Sequence, residues 1–273
     1  MLNQLPPFDN FPFFQNLQEI NLRGCGLKKT PVMDLASLEP LCSTLTKLDL
    51  SCNAIGSVSS FEILSGIRHL NLQNNSISSI SPQALRLPNL QTLILSNNPR
   101  IRIFGKEYFG NLPKLTELDL SSTGLAYLDP SIVIECGNTL KTLNLESNEI
   151  SHLPSNISQM ISLTNLNLSN NANLKMISSS RSYSSASSDS TLALPTSLVS
   201  LYIQGTKIGP DMFMGFFYLP KLERLYLGNN RIFSLEPSNL LSNWQNLKEL
   251  SLRNNSLIRI PSEISMLINL EVS

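Results

Sequence analysis

The sequence lacks the charge imbalance and the long apolar runs that several classes of binding protein require. Its 273 residues include 20 basic and 20 acidic side chains, so the formal net charge is zero. Proteins that bind nucleic acid or anionic membranes normally carry a basic excess. The longest apolar run without a charge, Met212 to Leu219, is too short to span a bilayer. We therefore expect no nucleic-acid partner and no membrane insertion by this segment.

Histidine and cysteine are scarce, and the signatures of catalytic sites are missing. The two histidines are not accompanied by a glycine-rich phosphate loop, a dinucleotide fingerprint or a metal-ligand spacing. Ser51, His69 and Asp49 could be drawn as a triad, but no nucleophile turn or oxyanion feature supports it. The cysteines form no CxxC pair, unlike a disulfide framework or a zinc site; they are Cys25, Cys42, Cys52 and Cys136. We predict that the chain is not an enzyme and has no catalytic residue, metal or cofactor.

The residues present in excess are leucine, serine and asparagine, with 50, 40 and 29 copies. They follow a repeated block, L-x-x-L-x-L-x-x-N-x-L, and eight of the ten intervals between repeats are 22 to 25 residues long. In x-L-x-L-x the leucines point one way and the intervening residues the other. The repeats begin at Leu17, Leu45, Ile67, Leu90, Leu115, Leu140, Leu163, Leu198, Leu222 and Leu247, with a truncated eleventh at Leu270. Stacked units of this kind pair their short strands over one continuous core.

At these positions the chain resembles the leucine-rich-repeat family, over essentially its whole length. The resemblance implies an α/β fold, namely a right-handed curved solenoid, or horseshoe, of about ten repeats with a concave parallel β-sheet. Residues 17–273 are predicted to form the array. Residues 1–16 are interpreted either as the convex remnant of a preceding repeat or as an improvised N-terminal cap. Because the chain ends inside a strand motif at Leu270, we expect it to be a segment of a longer array.

A column of polar side chains is predicted where the chain turns out of each strand. An asparagine amide there can satisfy backbone groups of neighbouring repeats, and threonine or cysteine can do so more weakly. The ladder comprises Cys25, Asn53, Asn75, Asn98, Thr123, Asn148, Asn171, Thr206, Asn230 and Asn255. The repeats containing Asn98 and Asn171 carry one extra residue before the next apolar anchor, which predicts a local bulge in the turn.

One interval, from Leu163 to Leu198, has 35 residues and contains a serine-rich stretch at 178–190. This stretch is either a neutral loop insertion or a loop that is phosphorylated or binds a partner. Four N-x-S sequons also occur, at Asn74, Asn156, Asn167 and Asn254. With so much asparagine and serine, chance alone accounts for that number, so the sequons give no indication of secretion.

The concave face carries the candidate binding site. Its central column reads Asn21, Asp49, Asn71, Ile94, Asp119, Asn144, Asn167, Tyr202, Tyr226 and Ser251. Tyr202 and Tyr226 interrupt the polar series, with Arg224 in the preceding column and Arg253 in the following one. Tyrosine and arginine are enriched at binding hot spots. Two interpretations stay open, namely simple stacking of exposed tyrosines and a protein-binding patch formed by these four residues.

We predict a noncatalytic, cytoplasmic signalling scaffold that binds a protein partner. The N-terminus shows neither the basic nor the apolar region of a secretory signal, and Leu153-Pro154 and Ile260-Pro261 resemble the convex segments of intracellular scaffolds. The segment around Phe109 is closer to the form found in receptor ectodomains. The alternatives are therefore a fragment of an extracellular receptor, the regulatory array of a larger enzyme such as a kinase, phosphatase or cyclase, or a purely structural array.

Overall fold

The computed structural model describes residues 16–29, 44–59, 61, 64–102, 104–175, 193–209, 218–235, 241 and 243–271. In chain order its strands are β1 (Glu19–Asn21), β2 (Lys47–Asp49), β3 (Ser57–Val58), β4 (His69–Asn71), β5 (Ser79–Ile80), β6 (Thr92–Ile94), β7 (Glu117–Asp119), β8 (Thr142–Asn144), β9 (Asn165–Asn167), β10 (Ser200–Tyr202), β11 (Arg224–Tyr226) and β12 (Glu249–Ser251). Strands β3 and β5 pair with each other, and the other ten form one parallel sheet in chain order. The predicted parallel-sheet solenoid is confirmed.

Each strand of the large sheet begins two residues after the first apolar residue of its repeat, as the block predicts. The middle residue of each strand lies in register with the middle residues of its neighbours, for example Leu48 with Leu70 and Leu118 with Leu143. These side chains point inward, and most of the strand leucines are fully buried, in one continuous core. Because the side-chain period of a strand is two, the first and third residues of every strand face the opposite side.

Where the structure describes the return segments opposite the sheet, their helices are short. The α-helices in these described parts are α1 (Lys106–Phe109) and α2 (Ser131–Cys136), and 3-10 turns span Pro82–Leu85, Ile157–Gln159 and Ser262–Met266. Phe109 and Ile132 are fully buried against the core. In the part of the chain that the structure describes, no helix is long and apolar enough to cross a membrane.

The predicted asparagine ladder joins each repeat to the one before it. Asn75 shows the pattern: its Nδ2 donates to the carbonyl of Leu72 in its own turn and to that of Leu50 in the preceding repeat, each at 3.0 Å. Its Oδ1 accepts the backbone N–H of Ile55 at 3.0 Å. The same three bonds recur at Asn53, Asn98, Asn148, Asn171, Asn230 and Asn255. Cys25 makes a weaker contact, from its Sγ to the carbonyl of Arg23 at 3.8 Å.

The two repeats with an extra residue form the predicted bulges. The backbone N–H of Ile101 donates to the carbonyl of Asn98 at 3.1 Å, and that of Leu174 to the carbonyl of Asn171 at 3.0 Å. In the repeats of Asn53, Asn75, Asn148 and Asn230 the corresponding N–H donates to the ladder asparagine of the next repeat. The bulge therefore satisfies this amide locally and removes the need for an asparagine oxygen in the following repeat.

Threonine occupies the ladder position in both repeats that follow a bulge. The Thr123 hydroxyl lies 2.7 Å from the carbonyl of Leu120 and 3.1 Å from Oδ1 of Asn148, and Thr206 has the equivalent pair of acceptors. Both side chains are buried. The short threonine side chain is sufficient here because the backbone N–H of Ile101 or Leu174, in the preceding repeat, already donates to a carbonyl within its own bulge.

The first and last repeats are less well covered than those between them, and Leu17, Ile20 and Leu22 of the first repeat are only half-buried. Leu247 is fully buried, whereas Leu250, Leu252 and Leu257 are only half-buried. The backbone N–H of Glu271 donates to the carbonyl of Lys248 at 2.7 Å, which repeats the bond found at the start of each strand pairing in the sheet. Most of the predicted N-terminal segment (residues 1–15), the serine-rich stretch 178–190 and Cys42 lie outside the described residues.

Candidate protein-binding face

The first and third residues of the ten sheet strands form a surface that we call the open face. Its central column consists of the third residues, and the observed register places them side by side as predicted. Tyr202 lies between Asn167 and Tyr226, and Tyr226 lies between Tyr202 and Ser251. We call each strand of this sheet a rung.

Six polar residues of the central column are hydrogen-bonded to their own backbone. In each, a side-chain oxygen accepts the N–H of the residue two positions later, as Asp49 does from Ser51 at 2.8 Å and Asn71 from Gln73 at 3.0 Å. The residues that make this bond are Asn21, Asp49, Asn71, Asp119, Asn144 and Asn167. Such bonds hold the chain where it leaves the strand, so these side chains have a structural role.

The side chains of Tyr202 and Tyr226 have no carbonyl or carboxylate oxygen close to the backbone that could accept this N–H. Their rings are instead stacked against each other, with centroids 4.7 Å apart and planes 6° from parallel. That spacing equals the distance between neighbouring strands of a sheet, about 4.8 Å. The N–H of Gln204, two residues after Tyr202, donates to the Ser169 hydroxyl of the preceding rung at 3.2 Å.

A charged network fixes one edge of the tyrosine pair. Arg224 Nε lies 3.3 Å from Oε1 of Glu249, and its Nη1 donates to the Ser200 hydroxyl at 3.3 Å. The Tyr226 hydroxyl donates to the other oxygen of Glu249. This hydrogen bond, together with partial burial and the negative charge of Glu249, raises the pKa of Tyr226 to about 12. The phenol therefore stays protonated at neutral pH and remains a donor to the carboxylate.

The network differs in part from the residues predicted from sequence. Arg224 belongs to the network through its bonds to Glu249 and Ser200. Among the described residues, the exposed Arg253 is hydrogen-bonded only through its backbone carbonyl. Glu249 and Ser200 were not predicted. Both are first residues of strands in register with Arg224, so writing out the first column of the face would have placed them there. We call Tyr202, Tyr226, Arg224 and Glu249 the tyrosine patch.

A shallow depression of about 280 Å³ lies at the other end of the open face, around His69 and Ile94. The triad considered from sequence is not assembled there. The Ser51 hydroxyl accepts a hydrogen bond from Arg23 at 3.3 Å, and an oxygen of Asp49 accepts the Ser51 backbone N–H. Among the residues that the structure describes, no group of three histidine, cysteine, aspartate or glutamate side chains could hold a metal ion.

The described cysteines are free thiols. Cys25 and Cys52 are half-buried and unbridged. Cys136 is fully buried in α2, and desolvation, with a smaller contribution from the charge of Glu135, raises the pKa of its thiol to about 12. A buried thiol with such a pKa is inert at neutral pH, so Cys136 acts as a core residue.

Family models described as leucine-rich repeats match residues 43–99 and 65–125, and also residues 139–160, 221–244 and 246–267. Together these matches cover more than half of the chain. The chain belongs to the leucine-rich-repeat family. As a leucine-rich-repeat protein, it has its strands and buried leucines where the family's repeat requires them.

Two relatives illustrate how far the similarity extends. Tsukushi of Gallus gallus is 34% identical over 137 residues, which is 49% of this chain and 35% of the relative. The transforming growth factor beta activator LRRC33 of Danio rerio is 29% identical over 235 residues, or 84% of this chain and 30% of the relative. The chain thus spans about a third of the length of the curated relatives it matches.

Two solved structures share the fold over 98% of this chain. The Toll–Spatzle complex of Drosophila gives a TM-score of 0.72 at 22% identity and is covered over 34% of its matched chain. The plant peptide hormone receptor RGFR1 in complex with RGF2 gives a TM-score of 0.64 at 23% identity, covered over 44%. At these identities the likeness establishes the fold alone.

Proposed function

We propose that this chain is a noncatalytic protein-interaction module of an extracellular protein, and that a protein partner binds at the tyrosine patch. The observation that carries the proposal is the stacked pair of Tyr202 and Tyr226. It stands in a column in which six polar residues, from Asn21 to Asn167, are hydrogen-bonded to their own backbone. These rings therefore have no equivalent structural role.

The geometry of the patch favours binding because its side chains are already ordered. Stacking and the hydrogen bond to Glu249 restrict the tyrosine rotamers before a partner arrives, which lowers the entropy lost on association. The charged side chains of Arg224 and Glu249 are 41% and 44% exposed. An ion pair so exposed contributes little to stability, yet its polar groups remain available to a partner.

The names of the relatives favour an extracellular compartment over the cytoplasmic one predicted from sequence. LRRC33 is named as an activator of transforming growth factor beta, and RGFR1 as a peptide hormone receptor in complex with RGF2. Growth factors and peptide hormones act outside the cell. By analogy with these proteins, we propose that the partner is a secreted or cell-surface protein.

An intracellular scaffold is the second candidate. It is favoured by the convex segment around Leu153 and Pro154, which resembles that of intracellular scaffolds and whose residues Leu153 and Ile157 are buried as that form requires. The receptor-like segment at Phe109 is equally buried, so the convex side alone supports both candidates. The compartment of the native protein, determined by cell fractionation, separates them.

A binding screen tests the proposed patch. The full chain, labelled with biotin, is applied to an array of purified secreted and membrane-ectodomain proteins from the same organism, and the affinity of each binder is measured by surface plasmon resonance. We expect the change Tyr202→Ala with Tyr226→Ala to weaken binding at least about 30-fold, the loss expected for hot-spot side chains.

Two other tyrosines provide a matched control. Tyr127 and Tyr218 are 50% and 73% exposed and lie outside the strands of the open face. The change Tyr127→Ala with Tyr218→Ala removes the same chemical groups from elsewhere on the surface and is expected to leave the affinity within about twofold. Equal binding by the patch variant and the wild type would refute the proposal.

A further inference from the structure

We propose that the protein carries N-linked glycans at Asn74 and Asn254 and that Asn156 and Asn167 remain unmodified. This inference rests on the proposed extracellular location. In the transfer, the amide nitrogen of asparagine forms a bond to the first sugar of a lipid-linked oligosaccharide diphosphate. The sugar–phosphate bond breaks, the lipid diphosphate leaves and the amide loses one proton. All four residues occur in N-x-S sequons, so the sequon alone does not distinguish them. Their exposure and contacts in the fold differ.

Asn74 and Asn254 occupy the same place in their repeats. Each directly precedes a ladder asparagine, each is exposed, and each has left-handed backbone geometry, with φ of 53° and 54°. Asn74 Nδ2 lies 3.6 Å from the sulfur of Cys52, and Asn254 Nδ2 donates to Asn229 Oδ1 at 2.8 Å. An amide nitrogen carries two hydrogens, so one remains for these contacts after the sugar is attached. The ladder bonds belong to the next residue and are untouched.

Asn167 lies in the central column of the open face and is fixed by its neighbours. Its Oδ1 accepts the backbone N–H of Ser169 at 3.0 Å, and its Nδ2 donates to Oε2 of Glu146 at 3.0 Å. It is half-buried and in register with Tyr202. Adjacent strands are only about 4.8 Å apart, so a glycan on Asn167 would cover the tyrosine patch.

Asn156 lies on the convex side, directly before the 3-10 turn Ile157–Gln159. Asn156 is half-buried, and its Oδ1 is buried with no hydrogen-bond partner among the residues that the structure describes. Its backbone carbonyl accepts the N–H of Gln159 at 2.9 Å, and the next side chain, Ile157, is fully buried. The buried amide oxygen is therefore packed at the turn, and this restricts the side-chain rotation that an oligosaccharide on the neighbouring nitrogen would require.

The two proposed glycans share one flank of the solenoid, at the turns that follow β4 and β12. An unmodified Asn167 agrees with the proposed function, because a glycan there would stand beside Tyr202, and both the oxygen and the nitrogen of this amide are hydrogen-bonded.

The test is glycopeptide mass spectrometry of the native protein isolated from its source tissue. Enzymatic release of N-glycans in heavy-oxygen water marks each occupied asparagine by a mass increase. We expect marks at Asn74 and Asn254 and none at Asn156 or Asn167. An unmarked protein, or occupancy at Asn156 or Asn167, would overturn the proposal.

Sequon variants of the full chain, routed through the secretory pathway of insect cells, provide the matched comparison. Ser76 and Ser256 are exposed, so Ser76→Ala and Ser256→Ala remove the sequons without altering Asn74 or Asn254. Each change should remove one glycan from the secreted protein, and Ser158→Ala should remove none. Because the array screen measures partner binding and these measurements report only glycan occupancy, failure of this inference is distinguishable from failure of the proposed binding patch.

Discussion

The polar rungs and the tyrosine rungs of the open face occupy one column but have different roles. From Asn21 to Asn167, six side chains accept a hydrogen bond from the backbone two residues later. The side chains of Tyr202 and Tyr226 do not accept this hydrogen bond, and their rings stack on each other instead. The comparison shows that a polar residue on a solvent-facing column can be structural, and it is the reason why we propose binding at the stacked tyrosines.

The largest effect is expected from mutations in the core beneath the two regions, which test whether both regions are packed equally well. Leu143 lies beneath the polar rungs and Leu225 beneath the tyrosine rungs, and both are fully buried. We expect Leu143→Ala and Leu225→Ala each to lower the free energy of unfolding by about 2–5 kcal/mol, because each leaves a cavity in a packed interior. Denaturant unfolding followed by circular dichroism measures both. A much smaller loss for Leu225→Ala would show that the tyrosine end is packed differently.

An exchange of residue types tests the division of roles directly. Tyr202→Asn with Tyr226→Asn gives both rungs the side chain of their polar neighbours, which can accept the N–H two residues later. We expect the affinity for the partner to fall at least about tenfold, since the aromatic groups are lost. The free energy of unfolding should change by less than about 1.5 kcal/mol, because a new hydrogen bond offsets the lost stacking. Retained affinity would contradict the assignment of binding to the rings.

The smallest expected effect is a pH dependence at the tyrosine patch. The folded pKa of Tyr226, about 12, is above the ordinary value of 10. The stabilisation from its hydrogen bond is therefore fully present below about pH 10 and is lost as the pH rises through about 12. We expect the difference in unfolding free energy between the wild type and Tyr226→Phe to shrink over this range.

The change Glu249→Gln supplies the control for this titration. It removes the charge and the carboxylate acceptor that hold the proton on the phenol. Ultraviolet absorbance of the ionised tyrosine should then show Tyr226 titrating closer to pH 10. An unchanged titration curve would mean that Glu249 is not the cause of the raised pKa.

Most of the fold was predictable because the repeat period and the strand period are both local properties. Each predicted repeat start lies two residues before an observed strand, and the ladder residues Asn53 to Asn255 make the bonds expected of them. The link between bulges and threonines was not predicted. It depends on the amide of Ile101 finding an acceptor in Asn98, which a pattern of residue types does not specify.

The candidate site was predictable only in part. Tyr202, Tyr226 and Arg224 were identified because they interrupt or flank the central column. Glu249 was missed because the first column was not compared across rungs, although the register places it beside Arg224. The orientation of Arg253, whose side chain stays outside the network, follows from rotamers and contacts that sequence spacing does not fix.

The sequence by itself determined the number of rungs, the inward leucines and the composition of each outward column, because the periods of a strand and of a repeat follow from covalent geometry. Only the tertiary structure distinguished the outward side chains that bond to neighbouring rungs from those that bond only to their own backbone. That distinction depends on distances of about 3 Å between groups more than 20 residues apart, such as Arg224 with Glu249 and Asn167 with Glu146. Such contacts exist only after the rungs have stacked in register.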